Sequence, residues 1–134
     1  MDSSALRIAV VDDNADIRET LSMVIQLLGH ESEVCSTGEL ALECIARWQP
    51  HVALIDISLP GMSGFDVARR VCASTVGSSP MLIAMTGWGR DEDRARSREA
   101  GFHKHLLKPV DLPQLRALFD EVARGASPER VVSA

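Results

Sequence analysis

Aromatic residues are scarce in this chain: no tyrosine, three phenylalanines and two tryptophans among 134 residues. Basic residues are outnumbered as well, 14 Lys and Arg against 19 Asp and Glu, which leaves a formal net charge of -5. With no cluster of Lys and Arg interleaved with aromatics, the chain lacks the phosphate-neutralising surface on which nucleic-acid binding depends, so no direct contact with nucleic acid is expected. Cysteine is limited to Cys35, Cys44 and Cys72. Their odd number and the lack of a C-x-x-C spacing argue against a zinc or redox site and predict core thiols in a reducing, cytoplasmic compartment. No apolar run approaches the ~18 residues needed to span a bilayer, and Met1 to Ala5 show no basic segment leading into an apolar one. Neither a membrane association nor an export signal is predicted.

What the chain does have is 46% hydrophobic residues over a length that suits one domain with a real core. Hydrophobic periodicity alternates five times between short apolar runs and helical spacing, the pattern of a parallel sheet covered on both faces by helices. Strands are predicted over Arg7 to Val11, Glu33 to Ser36, Val52 to Asp56, Met81 to Thr86 and Lys104 to Leu107, the third and fourth nearly all apolar and therefore central. A first helix places Ile17, Leu21, Val24, Ile25 and Leu28 on one stripe between Asn14 as N-cap and Gly29 as C-cap. Ser36 with Glu39 has the form of a capping box, opening a second helix that buries Leu40, Ala41, Ile45 and Trp48 before Pro50 stops it. A third buries Phe65, Ala68, Val71 and Cys72 and gives way to a loop from Val76 to Pro80. A fourth, Asp91 to Ala100, offers only Ala95 and Ala100 as apolar surface, although its acidic first turn suits the helix dipole and Glu92 can pair with Arg96. A fifth starts at Asp111 with Pro113 in its first turn and buries Leu115, Leu118, Phe119 and Val122 before Gly125. The domain is thus bounded at residues 5–125, with 126–134 a flexible tail or linker.

In an open parallel sheet, ligands bind beyond the carboxyl ends of the strands, near the point where strand order reverses. The predicted ends carry chemistry: Asp12 and Asp13 at the end of the first strand, Asp56 ending the third, Thr86 ending the fourth, and Lys108 followed by Pro109 at the end of the fifth. An acidic pair ahead of a helix is, taken alone, most simply a cap. Three carboxylates, a hydroxyl and an ammonium on consecutive strand ends ask for more. Carboxylates about 5 Å apart repel by roughly 3 kcal/mol per pair at an effective dielectric of about 20, so gathering them calls for a divalent cation. Hard oxygen donors with few protein contacts favour Mg²⁺. The ion would screen an incoming phosphoryl group from Asp56, the nucleophile, while Thr86 donates to one phosphoryl oxygen and Lys108 pairs with another. His51, His103 and His105 have no metal-ligand spacing and are read as exposed or packing residues, and Trp48 as a core anchor.

Four segments resemble the response regulator receiver family of two-component signalling: Ile8-Ala9-Val10-Val11-Asp12-Asp13, Ile55-Asp56-Ile57-Ser58-Leu59-Pro60-Gly61-Met62-Ser63-Gly64, Ala84-Met85-Thr86-Gly87 and Leu107-Lys108-Pro109-Val110. The match runs over roughly Leu6 to Arg124. This resemblance implies an α/β fold, a flavodoxin-like (βα)5 three-layer sandwich with parallel strand order 2-1-3-4-5. It also implies phosphorylation of Asp56 and a magnesium site formed by Asp12, Asp13, Asp56 and the backbone carbonyl of Ser58, with Asp12 acting through water. A cis peptide between Lys108 and Pro109 would aim the ammonium at Asp56. The implied partners are a histidine kinase or a phosphotransfer protein, and the implied state is a monomer or weak dimer. The Thr86-Gly87-Trp88-Gly89 segment and the run from His103 to Pro109 look similar to receivers of hybrid histidine kinases, where Asp56 would relay between two histidines and helix one would be the docking surface. One position departs from pattern: His105 stands where the family often has the Tyr or Phe that rotates inward as Thr86 shifts. An imidazole titrates near physiological pH, so its burial would depend on pH. Ser58 and Trp88 flank the site.

Two rival readings share the topology. A haloacid-dehalogenase-like phosphatase needs a second Asp two residues after its nucleophile, where this chain has Ser58. A flavin-binding module needs a phosphate loop rich in Gly, Ser and Thr after the first strand, where Asp12-Asp13-Asn14 would repel phosphate. The expectation is a phosphoacceptor that promotes its own phosphorylation and dephosphorylation, not a turnover enzyme.

Overall fold

The apolar runs form strands and the stretches between them helices, in the order β1 (Arg7–Val11), α1 (Ala15–Leu27), β2 (Glu31–Cys35), α2 (Gly38–Trp48), β3 (Val52–Asp56), α3 (Gly64–Ala73), β4 (Met81–Thr86), α4 (Asp91–Ala100), β5 (Lys104–Leu107) and α5 (Leu112–Ala123). The structure is a computed structural model and describes residues 5–74, 80–87 and 91–125. All strands run parallel in the order β2-β1-β3-β4-β5. The chain moves from β1 outward to β2 and then back past β1 to β3, so the reversal of strand order falls between β1 and β3. This is the flavodoxin-like arrangement that the motifs implied.

Side-chain alternation along the strands divides the core into two layers. Ile8, Val10, Val52, Leu54, Ile83 and Met85 meet Leu21 and Ile25 of α1 and Leu115, Leu118 and Phe119 of α5. Ala9, Val11, Ala53, Ile55, Leu82 and Ala84 meet the other three helices through Ala41, Phe65, Val67, Ala68 and Ala100. β3 and β4 are buried along their whole length, as their apolar runs up to the terminal Asp56 and Thr86 require. Each fully enclosed aliphatic such as Leu54 or Ile83 contributes roughly 2 kcal/mol of transfer free energy.

Several local expectations are corrected. β2 is Glu31–Cys35, not Glu33 to Ser36. It is an edge strand whose polar residues pair with β1 from Arg7↔Glu31 onward, and backbone pairing of that kind leaves no apolar trace. Thr37, not Ser36, caps α2, its hydroxyl accepting the Leu40 N–H at 3.1 Å, so the Ser36–Glu39 capping box does not form. With the helix phased from Gly38, the inward stripe holds Ala41 and Cys44, Ile45 and Trp48 pack at its margin, and Leu40 is 46% exposed. Gly29 follows the cap residue Leu28 with a φ of 91°, which glycine supplies without strain. α3 buries Val67 where Cys72 was expected; Cys72 is exposed, one position beyond the stripe, so only Cys35 and Cys44 are core thiols. In α4 the inward residues are Ser97 and Ala100, while Ala95 is exposed. Its link to α3 includes the Arg96 guanidinium, 4.3 Å from the Phe65 ring centroid. Residues 76–79 of the expected loop, Trp88, the Glu92–Arg96 pair and the tail 126–134 lie outside the described residues. No helix among the described residues is long and apolar enough to cross a membrane.

The amino-terminal edge of the sheet is fastened by three histidines, each immediately preceding a strand. The N–H groups of Leu6, Arg7 and Leu82 donate to Nδ1 of His30, His51 and His103 at 3.0, 2.9 and 3.0 Å. Only an imidazole unprotonated at Nδ1 can accept such a bond. Burial lowers the pKa of His30 against the opposing pull of Asp120, and burial together with Arg7 lowers that of His51 against Glu31. A folded-state pKa below the unfolded value of 6.5 means the stabilisation is complete above 6.5 and is lost as pH falls from there through the folded pKa. Urea midpoints are therefore expected to drop on acidification below about 6.5, and to drop less when His30→Asn and His51→Asn are combined, since asparagine keeps an acceptor that does not titrate.

Candidate functional site

The rim beyond the carboxyl ends of the strands is built from short backbone extensions of the sheet. The Asp12 N–H donates to the Cys35 carbonyl at 3.1 Å, carrying the pairing of β1 with β2 one step further. Its carboxylate Oδ1 accepts the Asn14 N–H at 2.9 Å, while Asn14 caps α1 by accepting from the N–H groups of Asp16 and Ile17. The Arg18 guanidinium donates to the Asp12 carbonyl oxygen at 2.9 Å. Asp12 has no exposed surface, whereas Asp13 beside it is exposed.

Asp56 closes β3 and is 4% exposed. Its Oδ1 accepts from the Ser58 N–H at 2.9 Å and from the Ser58 hydroxyl at 3.0 Å. α3 begins so close behind it that a Cβ on Gly64 would stand 2.5 Å from the Asp56 carbonyl oxygen and 2.6 Å from Ile57 Cα. Only glycine admits this approach, so the end of the loop of the decapeptide is a packing requirement. On the far side, the Lys108 N–H donates to the Thr86 carbonyl at 2.8 Å, and the peptide joining Lys108 to Pro109 is cis. The ammonium of Lys108 donates to Asp12 Oδ2 at 2.8 Å and to Asp56 Oδ2 at 3.1 Å. Burial opposes the charge on Lys108, but hydrogen bonds to Asp12 and Asp56 and their charges outweigh it and raise its pKa.

Asp12, Asp13, Asp56 and Lys108 are thus brought together as expected. Thr86 is buried at the end of β4 and tied through its backbone to Lys108. Ser58, expected through its carbonyl, touches Asp56 through its amide and hydroxyl. His105 lies on β5 beside Ala84, partly buried. Carboxylate oxygens of Asp12, Asp13 and Asp56 all lie within 4.8 Å of one another. Three carboxylates against one ammonium leave negative charge uncompensated, and a set composed of hard oxygens, one of them on an exposed residue, fits a small divalent cation. Beside Lys108 opens a cavity of about 430 Å³ between α1 and the segment after β5, walled by Ile17, Thr20, Leu21 and Val110. Arg18 was not foreseen; a cation in the opening turns of a helix, against the dipole, was the signal that could have found it.

Comparison with known proteins agrees with this geometry. The model of the response regulator receiver domain family matches residues 8–120. Sporulation initiation phosphotransferase F of Bacillus subtilis is 29% identical over 110 residues, 82% of this chain and 87% of that protein. An uncharacterized 14.6 kDa protein from the sodA1 3' region of Leptolyngbya boryana is 32% identical over 122 residues, 91% of this chain and 93% of that one. Among solved structures, a CheY-like response regulator receiver domain protein from Methanospirillum hungatei superposes with a TM-score of 0.81 at 28% identity, covering 90% of this chain and 94% of the other.

Proposed function

Because the chain belongs to the response regulator receiver domain family, we propose that its phosphoacceptor is Asp56 and that Thr86 and Lys108 serve the transfer. A receiver is a phosphoacceptor of two-component signalling rather than a turnover enzyme. One oxygen of the Asp56 carboxylate attacks the phosphorus of a phosphohistidine, the phosphorus–nitrogen bond breaks, and the donor imidazole leaves as an acyl phosphate forms on Asp56. Lys108, which bridges Asp12 and Asp56, shifts one of its donors to a phosphoryl oxygen, and the Thr86 hydroxyl donates to another. Asp12, Asp13, Asp56 and the Ser58 carbonyl would hold Mg²⁺, which when bound neutralises charge between the carboxylates and the phosphoryl oxygens. The observation that carries this reading is the Lys108 ammonium in hydrogen-bond contact with both Asp12 and Asp56 across a cluster of three carboxylates. Ser58, standing where a phosphatase of the haloacid dehalogenase kind has its acid, donates to Asp56 and has no carboxyl to protonate a leaving group.

Receiver domains partner histidine kinases and phosphotransfer proteins. For this chain, α1 with its neighbouring loops makes the docking surface, beside which a cavity lined by Ile17, Thr20, Leu21 and Lys108 opens. The domain occupies residues 5–125 with 126–134 as tail or linker, works in the cytoplasm, and is a monomer or weak dimer. The Thr86–Gly89 and His103–Pro109 segments support a place in a hybrid-kinase relay. Incubation with Mg²⁺ and acetyl phosphate tests the reading: the intact mass is expected to rise by one phosphoryl group, and chelation by EDTA to prevent the rise. An unchanged mass with Mg²⁺ present would overturn it.

A further inference from the structure

Arg18 takes no part in the chemistry proposed above, yet it stands where a cation is disfavoured, in the opening turns of α1 near the positive end of the helix dipole. Its guanidinium turns back over the helix start, and Nη1 donates to the Asp12 carbonyl oxygen at 2.9 Å. That carbonyl follows directly on the Asp12 N–H that pairs with the Cys35 carbonyl at 3.1 Å, so the guanidinium holds the chain where β1 leaves its pairing with β2. The carbonyl it holds belongs to the peptide unit joining Asp12 to Asp13. The other polar groups of Asp12 are already committed: the N–H to Cys35, one carboxylate oxygen to Asn14 and the other to Lys108. The remaining freedom at this point is rotation of the following peptide plane, and that rotation sets where the Asp13 carboxylate stands relative to Asp12 and Asp56.

We propose that Arg18 is a positioning residue of the acidic site, fixing the Asp12–Asp13 peptide so that the two carboxylates face one ion. The inference rests on the reading of this cluster as a magnesium site. It makes a prediction of opposite sign to simple electrostatics. Removing a positive charge beside a cation site should tighten binding, whereas releasing the peptide should weaken it.

Magnesium titration followed by the amide shifts of Asp13 and Asn14 separates the two, using the unaltered chain, Arg18→Ala, Arg18→Lys and, as a control on the same helix turn, Glu19→Ala. Arg18→Ala is expected to weaken Mg²⁺ binding about 10-fold, the scale seen when a partner of a metal ligand is lost. Arg18→Lys, which keeps a donor on a shorter arm, should recover part of the affinity, and Glu19→Ala should bind as the unaltered chain does. Unchanged or tighter binding by Arg18→Ala overturns the inference. Should thermal melts show that Arg18→Ala has unfolded, Arg18→Lys decides: affinity below that of the unaltered chain supports the inference, and equal or higher affinity overturns it. An unaltered chain that binds no Mg²⁺ overturns the magnesium reading, and the inference with it.

Discussion

Asp56→Ala is expected to take up no phosphoryl group from acetyl phosphate in the presence of Mg²⁺, a complete loss in an intact-mass measurement, while remaining folded. The first half follows from geometry. Asp12 has no exposed surface, and both of its carboxylate oxygens are engaged, by Asn14 and Lys108. Asp13 contributes an exposed carboxylate but does not end a strand against α3 as Asp56 does. The second half follows from charge. Removing one of three carboxylates relieves repulsion of roughly 3 kcal/mol per pair at about 5 Å, and Lys108 keeps its shorter contact to Asp12. The melting temperature of Asp56→Ala without metal should therefore equal or exceed that of the unaltered chain. Continued phosphoryl uptake by the variant would move the acceptor to another residue.

Lys108→Met should behave in the opposite way. The ammonium is the cation in hydrogen-bond contact with two carboxylates whose side chains are 0% and 5% exposed, and it is itself 22% exposed. Breaking a buried pair by deleting one partner costs about 3 kcal/mol, the low end of the usual range being apt because the ammonium still meets water. The raised pKa of Lys108 keeps its contribution complete below 10.5, so neutral and acidic buffers report it equally as far as this group is concerned. In EDTA the variant should unfold at clearly lower urea than the unaltered chain. Added Mg²⁺ should restore about 2.7 kcal/mol at a hundredfold excess over Kd, since a ligand of the folded state alone stabilises by mass action. Equal stability of the two chains in EDTA would show that the bridge contributes nothing.

The rim was legible in the sequence because its residues interrupt apolar runs abruptly: Asp12 after Val11, Asp56 after Ile55, Lys108 after Leu107. Strands β3 and β4, buried along their whole length, advertise their limits, and β1, β3, β4 and β5 have the predicted bounds. β2 did not, because its Glu and Ser residues carry no apolar run and backbone pairing with β1 leaves no trace in the sequence. Two adjacent hydroxyl residues, Ser36 and Thr37, left the start and hence the phase of α2 ambiguous, and the misplacement of Leu40 followed from that. The histidine fasteners join residues 24, 44 and 21 positions apart, a separation at which no local pattern exists. Arg18 was marked only by its unfavourable place near a helix start; its partner six positions back is a main-chain carbonyl, which carries no residue identity to read.

The unequal exposure of the neighbouring acids Asp12 and Asp13 bears on exchange kinetics. A hydrated cation arriving from bulk meets Asp13 first and can shed water there one molecule at a time, while the enclosed Asp12 has no hydration shell left to surrender. Loading and unloading of the rim would then be paced by dehydration of the ion itself.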